Sequence, residues 1–213
     1  MLIATYSIVA RDPDSGDLGI AVQSRFFAVG AVVPWLAAGI GAIASQAWGN
    51  TNFGHLGLAL LREGFTATET LERLIRSDRE AAKRQVGIVD ALGEVANYTG
   101  RECLEYAGAM KGDQYTVQGN LLAGPKVPAA MASAYEARSD RPLAERLMCA
   151  LEAGEAAGGD RRGRQAAALL VVREGLGEPG FNDRLVNLRV DDHERPVEEL
   201  RRLLMLHFEL HGR

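Results

Sequence analysis

The chain has 213 residues, 47% of them hydrophobic and 6% aromatic, with 24 Lys and Arg against 28 Asp and Glu for a formal net charge of −4. That length fits one domain over residues 1–213, able to bury a full core without staples. The acid excess argues against nucleic acid as the main partner, because binding the phosphate backbone draws on a clustered basic surface.

The first strand is predicted from Ala4 to Ala10 and the second from Leu18 to Ser24, joined by Arg11-Asp12-Pro13-Asp14-Ser15-Gly16-Asp17, a run of turn formers. Side chains alternate along a strand, so Thr5, Ser7 and Val9 share one face of the first, and Tyr6, Ile8 and Ala10 the other. Gly41 to Ala47 reads as a buried strand and Gly54 to Glu63 as a helix ending near Gly64. Thr66-Ala67-Thr68-Glu69 has the capping-box pattern and opens a second helix, with Leu71, Leu74 and Ile75 at helical spacing. Gln85 to Ala91 and Glu94 to Thr99 make a hairpin around Leu92-Gly93, and Gln114 to Leu122 adds a strand. Helices come next, from Val127 to Ala137 and from Leu143 to Ala157, the second stopped by Gly158-Gly159. Strands return at Gln165 to Arg173 and Leu185 to Val190, and a last helix runs from Pro196 to His211 with proline in its first turn. Hairpin-joined strands with helices arriving in pairs predict antiparallel sheets covered by helix layers. No linker or repeat marks a boundary.

Cys103 and Cys149 lie outside any CxxC or metal-ligand spacing and read as ordinary cytosolic thiols. Residues Met1 to Thr5 lack the pattern of a signal peptide, and no apolar run nears the ~20 residues of a membrane span. A soluble, cytoplasmic protein with no membrane partner is expected.

Three motifs fail on inspection. Gly39 to Ala44 matches GxGxxA, but Pro34 precedes it and Ala42 to Ala47 reads extended, where a dinucleotide fingerprint needs a helix. Gly119 to Gly124 begins like a P-loop, yet Pro125 separates Gly124 from Lys126, and Val127 stands where a Ser or Thr would hold magnesium. His207 and His211 are one turn apart, but Glu209 is misplaced for a zinc-protease motif.

What remains is a set of polar residues where predicted strands end: Thr5, Ser24, Arg25, Gln46, Asn50, Gln118, Asn120, Asp160, Arg164, Gln165, Asp191, Asp192 and His193. Amides and arginines gathered on one rim can bind a carboxylate or amide substrate, because they supply donors in fixed geometry.

Thr5-Tyr6-Ser7-Ile8-Val9-Ala10-Arg11-Asp12, Gly19 to Arg25, Val117 to Gly124, Gly159 to Gln165 and Val190-Asp191-Asp192-His193 resemble the bacterial family called domain of unknown function 1028, over Ala4 to about His207. That family is grouped with the N-terminal nucleophile (Ntn) hydrolases. The resemblance implies an α+β fold, a four-layer αββα sandwich with two antiparallel sheets. In Ntn hydrolases the first residue of the mature chain attacks an amide carbonyl while its free α-amine acts as general base. Thr5 occupies the matching place. Four residues precede it, however, and methionine removal would stop before the bulky Leu2, so the α-amine route requires cleavage after Ala4.

Three functions stand as expectations. The first is an Ntn-type amidohydrolase acting on a small amide or peptide-like substrate, with Thr5, Ser24 and Asn120 as catalytic residues. Substrate contacts would come from Arg25, Gln46, Asn50, Gln118, Asp160, Arg164, Asp192 and His193. The second is a non-catalytic ligand-binding or assembly protein on the same fold. The third is a metal-assisted hydrolase using the acidic rim of Asp160, Asp191, Asp192 and His193. No cofactor and no resident metal is expected, and the expected partners are a small-molecule substrate and a second copy of the chain in a two-fold dimer.

Overall fold

A computed structural model describes residues 2–3, 5–175 and 183–212. One sheet has the order β11-β10-β3-β2-β9-β8, every pair antiparallel. Its strands are β2 (Thr5–Arg11), β3 (Leu18–Ser24), β8 (Gly108–Gly112), β9 (Tyr115–Gly119), β10 (Ala166–Val172) and β11 (Arg184–Val190). The other is built on β5 (Gly41–Trp48), with β6 (Arg84–Asp90) and β7 (Val95–Thr99) beyond one edge. The opposite edge of β5 takes β1 (Leu2–Ile3) at one end and β4 (Pro34–Ala37) at the other.

The sheets face each other. Helices α1 (Asn52–Arg62) and α2 (Ala67–Ser77) cover the β5 sheet, while α3 (Lys126–Glu136), α4 (Leu143–Ala156) and α5 (Pro196–His211) cover the other. The strand alternation assigns the layers. Tyr6, Ile8 and Ala10 pack with Leu147 and Leu151 of α4 beneath the helices, whereas Val9, Leu18, Ile20 and Val22 meet Ala42 and Ala44 between the sheets. The α2 capping box forms as its sequence predicts, Glu69 N–H on the Thr66 hydroxyl and Thr66 N–H on the Glu69 carboxylate. Leu200 and Leu204 of α5 are fully buried core residues.

Three features depart from the sequence reading. Strands β4 and β8 were not expected: Pro34 opens the first, and Gly-Ala-Met-Lys-Gly of the second lacks β-formers, so pairing with long neighbours decides both. Strand β9 is shorter than its predicted run to Leu122, because Leu121 takes φ 52° and turns the chain away. Alternation suggests that the residues before Thr5 extend the first strand. Instead Leu2 and Ile3 pair with Trp48 and Ala47 of the facing sheet. The predicted strand start and cleavage point, Ala4, lies outside the described residues.

Candidate active site

Pairing across the six-stranded sheet puts three predicted residues in one row. Thr5 is the cross-strand partner of Ser24, and on its other side the Asn120 N–H donates to the Thr5 carbonyl at 3.0 Å. Directly opposed residues on one sheet face hold their Cβ atoms about 4.5–5.5 Å apart, so Ser24, Thr5 and Asn120 are neighbours facing the second sheet. All three have 0% exposure. The Thr5 hydroxyl donates to the Ile3 carbonyl at 2.8 Å.

Below this row lies a buried network of amides and hydroxyls joining the two sheets. Ser7 donates to Gln46 Oε1 at 2.7 Å and accepts from Gln118 Nε2 at 2.7 Å. Gln46 Nε2 donates to Gln85 Oε1 at 2.9 Å, and Asn120 Nδ2 donates to the same oxygen at 2.9 Å. Gln85 Nε2 reaches the Gly119 carbonyl at 2.9 Å and the Thr99 hydroxyl at 3.0 Å. A Cβ at Gly87 would stand 2.3 Å from Gln118 Oε1, so only glycine admits that amide between the sheets. A buried amide is tolerated where its hydrogen bonds are made. Asn120 Oδ1 is the exception in this set, buried without a partner among the described residues.

A second group lines an open cleft of about 850 Å³ at the end of β3 and β10: Arg25, Arg164, Gln165, Asp192, His193, Arg195 and the acids of the first turns of α5. The Ser24 carbonyl accepts from Gln165 N–H at 3.1 Å, so the cleft begins one residue from the Thr5 row. Most of its charges are matched. Arg164 pairs with Glu155, Arg195 with Glu198 and Arg202 with Glu199, while Asp192 accepts from Gln165 at 3.0 Å. Arg25 differs: its guanidinium donates to the Arg162 carbonyl, and among the described residues no carboxylate pairs with it.

Asp160 joins the two groups. Its side chain is fully buried, pairs with Arg162 at 2.6 Å and accepts the Arg25 N–H at 3.2 Å. It is thus a brace beneath the cleft loop. Asn50 stands elsewhere. It donates to Asp78 at 3.0 Å, and Asp78 also takes Arg84 at 2.8 Å. Burial raises the Asp78 carboxyl, but the Arg84 and backbone hydrogen bonds outweigh it and hold the pKa at about 2. The acidic rim does not converge either, since Asp191 pairs with Arg189 at 2.9 Å. Among the described residues no three His, Cys, Asp or Glu side chains gather as metal ligands.

Sequence reading missed Ser7 and Gln85. Both were visible in outline, Ser7 on the Thr5 face and Gln85 opening a strand, but nothing local tells that two strands from different sheets will meet there.

The architecture is an αββα sandwich, two antiparallel sheets between two layers of helices. The model of a family of unknown function, DUF1028, matches residues 5–200, and the chain belongs to that family. It is similar to protein SPO2555 from Silicibacter pomeroyi, a DUF1028 structure 31% identical, with a TM-score of 0.87 over 96% of this chain and 89% of that one. Fainter likenesses join it to Anbu (ancestral beta-subunit) from Yersinia bercovieri, at 12% identity and TM-score 0.42 over 97% and 96% of the two chains. An Anbu (Gly-1) mutant from Hyphomicrobium sp. strain MC1 stands at 13% and 0.38 over 97% and 95%. Both are too slight to bear on the chemistry. No curated protein matches.

Proposed function

We propose that the chain is an amide-cleaving hydrolase of the N-terminal nucleophile type, acting on a small substrate that carries a carboxylate. The observation that carries this reading is the row Ser24, Thr5, Asn120, one residue from a cleft whose Arg25 has no acid partner among the described residues. Thr5 becomes the nucleophile once the residues ahead of it are removed. Its α-amine, with an ordinary pKa near 8, then takes the hydroxyl proton while Oγ bonds to the substrate carbonyl carbon. The C–N bond breaks, the proton passes to the leaving amine, and water hydrolyses the resulting ester to a carboxylic acid and free Thr5. The unpartnered Asn120 Oδ1 supplies an acceptor for the α-ammonium, and Ser24 flanks the hydroxyl on the other side. Arg25 takes the substrate carboxylate through its planar fork.

The test compares full-length and Thr5-exposed forms, each with its Thr5→Ala control, on a panel of N-acyl amino acids and small amides. Cleavage by the exposed form alone, lost in Thr5→Ala, is expected. Full-length activity that survives Thr5→Ala refutes the reading. The sealed Thr5 hydroxyl favours a second reading, a protein that binds a small anion in the cleft without chemistry. Ligand binding with no cleavage by either form selects it. A cytoplasmic two-fold homodimer belongs to the same proposal, and light scattering at the mass of one chain removes the dimer.

A further inference from the structure

The residues that seal Thr5 also outline what it would act on. Leu2 and Ile3 lie extended and antiparallel to β5, with Leu2 opposite Trp48 and Ile3 opposite Ala47. Strand β4 covers the same edge of β5 only from Gly41 to Ala44, so what covers Ala47 and Trp48 is these two residues. Ladder pairing reads backbone and is indifferent to sequence, which leaves specificity to the side-chain pockets. One pocket is visible. Ile3, 1% exposed, packs into the core between the sheets. A Cβ at Gly49 would come within 2.7 Å of Ile3 Cδ1, so position 49 is cleared for that side chain.

The walls are held independently of their occupant. Arg84 donates to the Trp48 carbonyl and is paired to Asp78, which also holds Asn50, while the Ser45 hydroxyl donates to the Asn50 carbonyl at 3.0 Å. The Thr5 hydroxyl points back at the Ile3 carbonyl. An acyl group on Thr5 Oγ would therefore lie on the side where residues 2–3 now lie.

Resting on the Thr5 reading above, we infer that the place held by Leu2 and Ile3 is the acyl-side subsite, which takes a short extended peptide-like acyl group with a branched apolar side chain second from the scissile amide. The leaving side then faces Ser24 and the Arg25 cleft. Asn50 serves this subsite as a positioning residue through Asp78.

The experiment uses the full chain carrying Ile3→Asp, since a carboxylate is expelled from an apolar interior, and titrates it with the amidated peptide Met-Leu-Ile-Ala by calorimetry. The peptide is expected to bind this variant and not the native chain, whose subsite is filled. A Met-Leu-Asp-Ala peptide should bind about tenfold more weakly or worse. Ile3→Gly, which empties the pocket without a charge, repeats the test should Ile3→Asp fail to fold by circular dichroism. Equal binding of both peptides, or none to a folded variant, overturns the subsite. Amide cleavage by the Thr5-exposed form without preference for a branched residue overturns the subsite and leaves Thr5 as nucleophile. Peptide binding with no cleavage by that form overturns the nucleophile and leaves a peptide groove.

Discussion

The network between the sheets and the cleft beside it are both rich in polar groups, yet they obey opposite rules. Gln46, Gln85 and Gln118 are sealed from water; the Gln46 and Gln85 amides are fixed by partners on both sheets, and that of Gln118 by Ser7 and Thr116 of its own sheet. The charges of the cleft stand in solvent and pair mostly with near neighbours in sequence, as Arg195 does with Glu198 and Arg202 with Glu199. Burial makes the first set structural, because removing one partner strands another group away from water. Exposure leaves the second set free to exchange an internal partner for a ligand. Thr5 lies on the boundary, buried like the network and one residue from the cleft.

That contrast is most sharply broken at Gln85. Gln85→Leu removes the acceptor that serves both Gln46 and Asn120, and each stranded buried group costs about 1–3 kcal/mol. Denaturant titration should show a loss of about 3 kcal/mol, and a change under about 1 kcal/mol would mean water reaches the network. Next comes Asp160→Ala, which takes the carboxylate from the Arg162 side chain and the Arg25 N–H. About 2 kcal/mol should be lost, the Arg162 end being partly solvated, and ligand affinity in the cleft should fall with it.

A pH titration tests the brace behind Trp48. The folded Asp78 pKa of about 2 lies below its unfolded value near 3.9, so its contribution is complete above that unfolded value and is lost as pH falls toward 2. After allowance for solvent screening the effect is about 1 kcal/mol. Thermal melts from pH 5 to pH 2 should show the native chain converging on Asp78→Asn, and parallel curves would contradict this. Only a small effect on stability is expected of Arg202→Ala. Its pair with Glu199 is exposed and screened by solvent, so the denaturation midpoint should scarcely move. Arg25→Lys, by contrast, should leave stability unchanged while raising KM for a carboxylate substrate about tenfold, because a point charge replaces a fork.

The layer order, most strand and helix positions and the α2 cap were legible in the sequence because each rests on short-range chemistry: alternation, helical spacing, capping residues and glycine stops. The row of Thr5 and Ser24 was legible too, since a hairpin fixes register locally. Long-range pairing decided the rest. Alternation puts Ile3 in phase with Thr5 but does not say which sheet it joins, and the open edge of β5 takes it. The polar residues at strand ends looked like one rim. Tertiary structure divided them into a buried network, a charged cleft and the Asn50 brace, because burial depends on what stands opposite a residue and not on the residue itself.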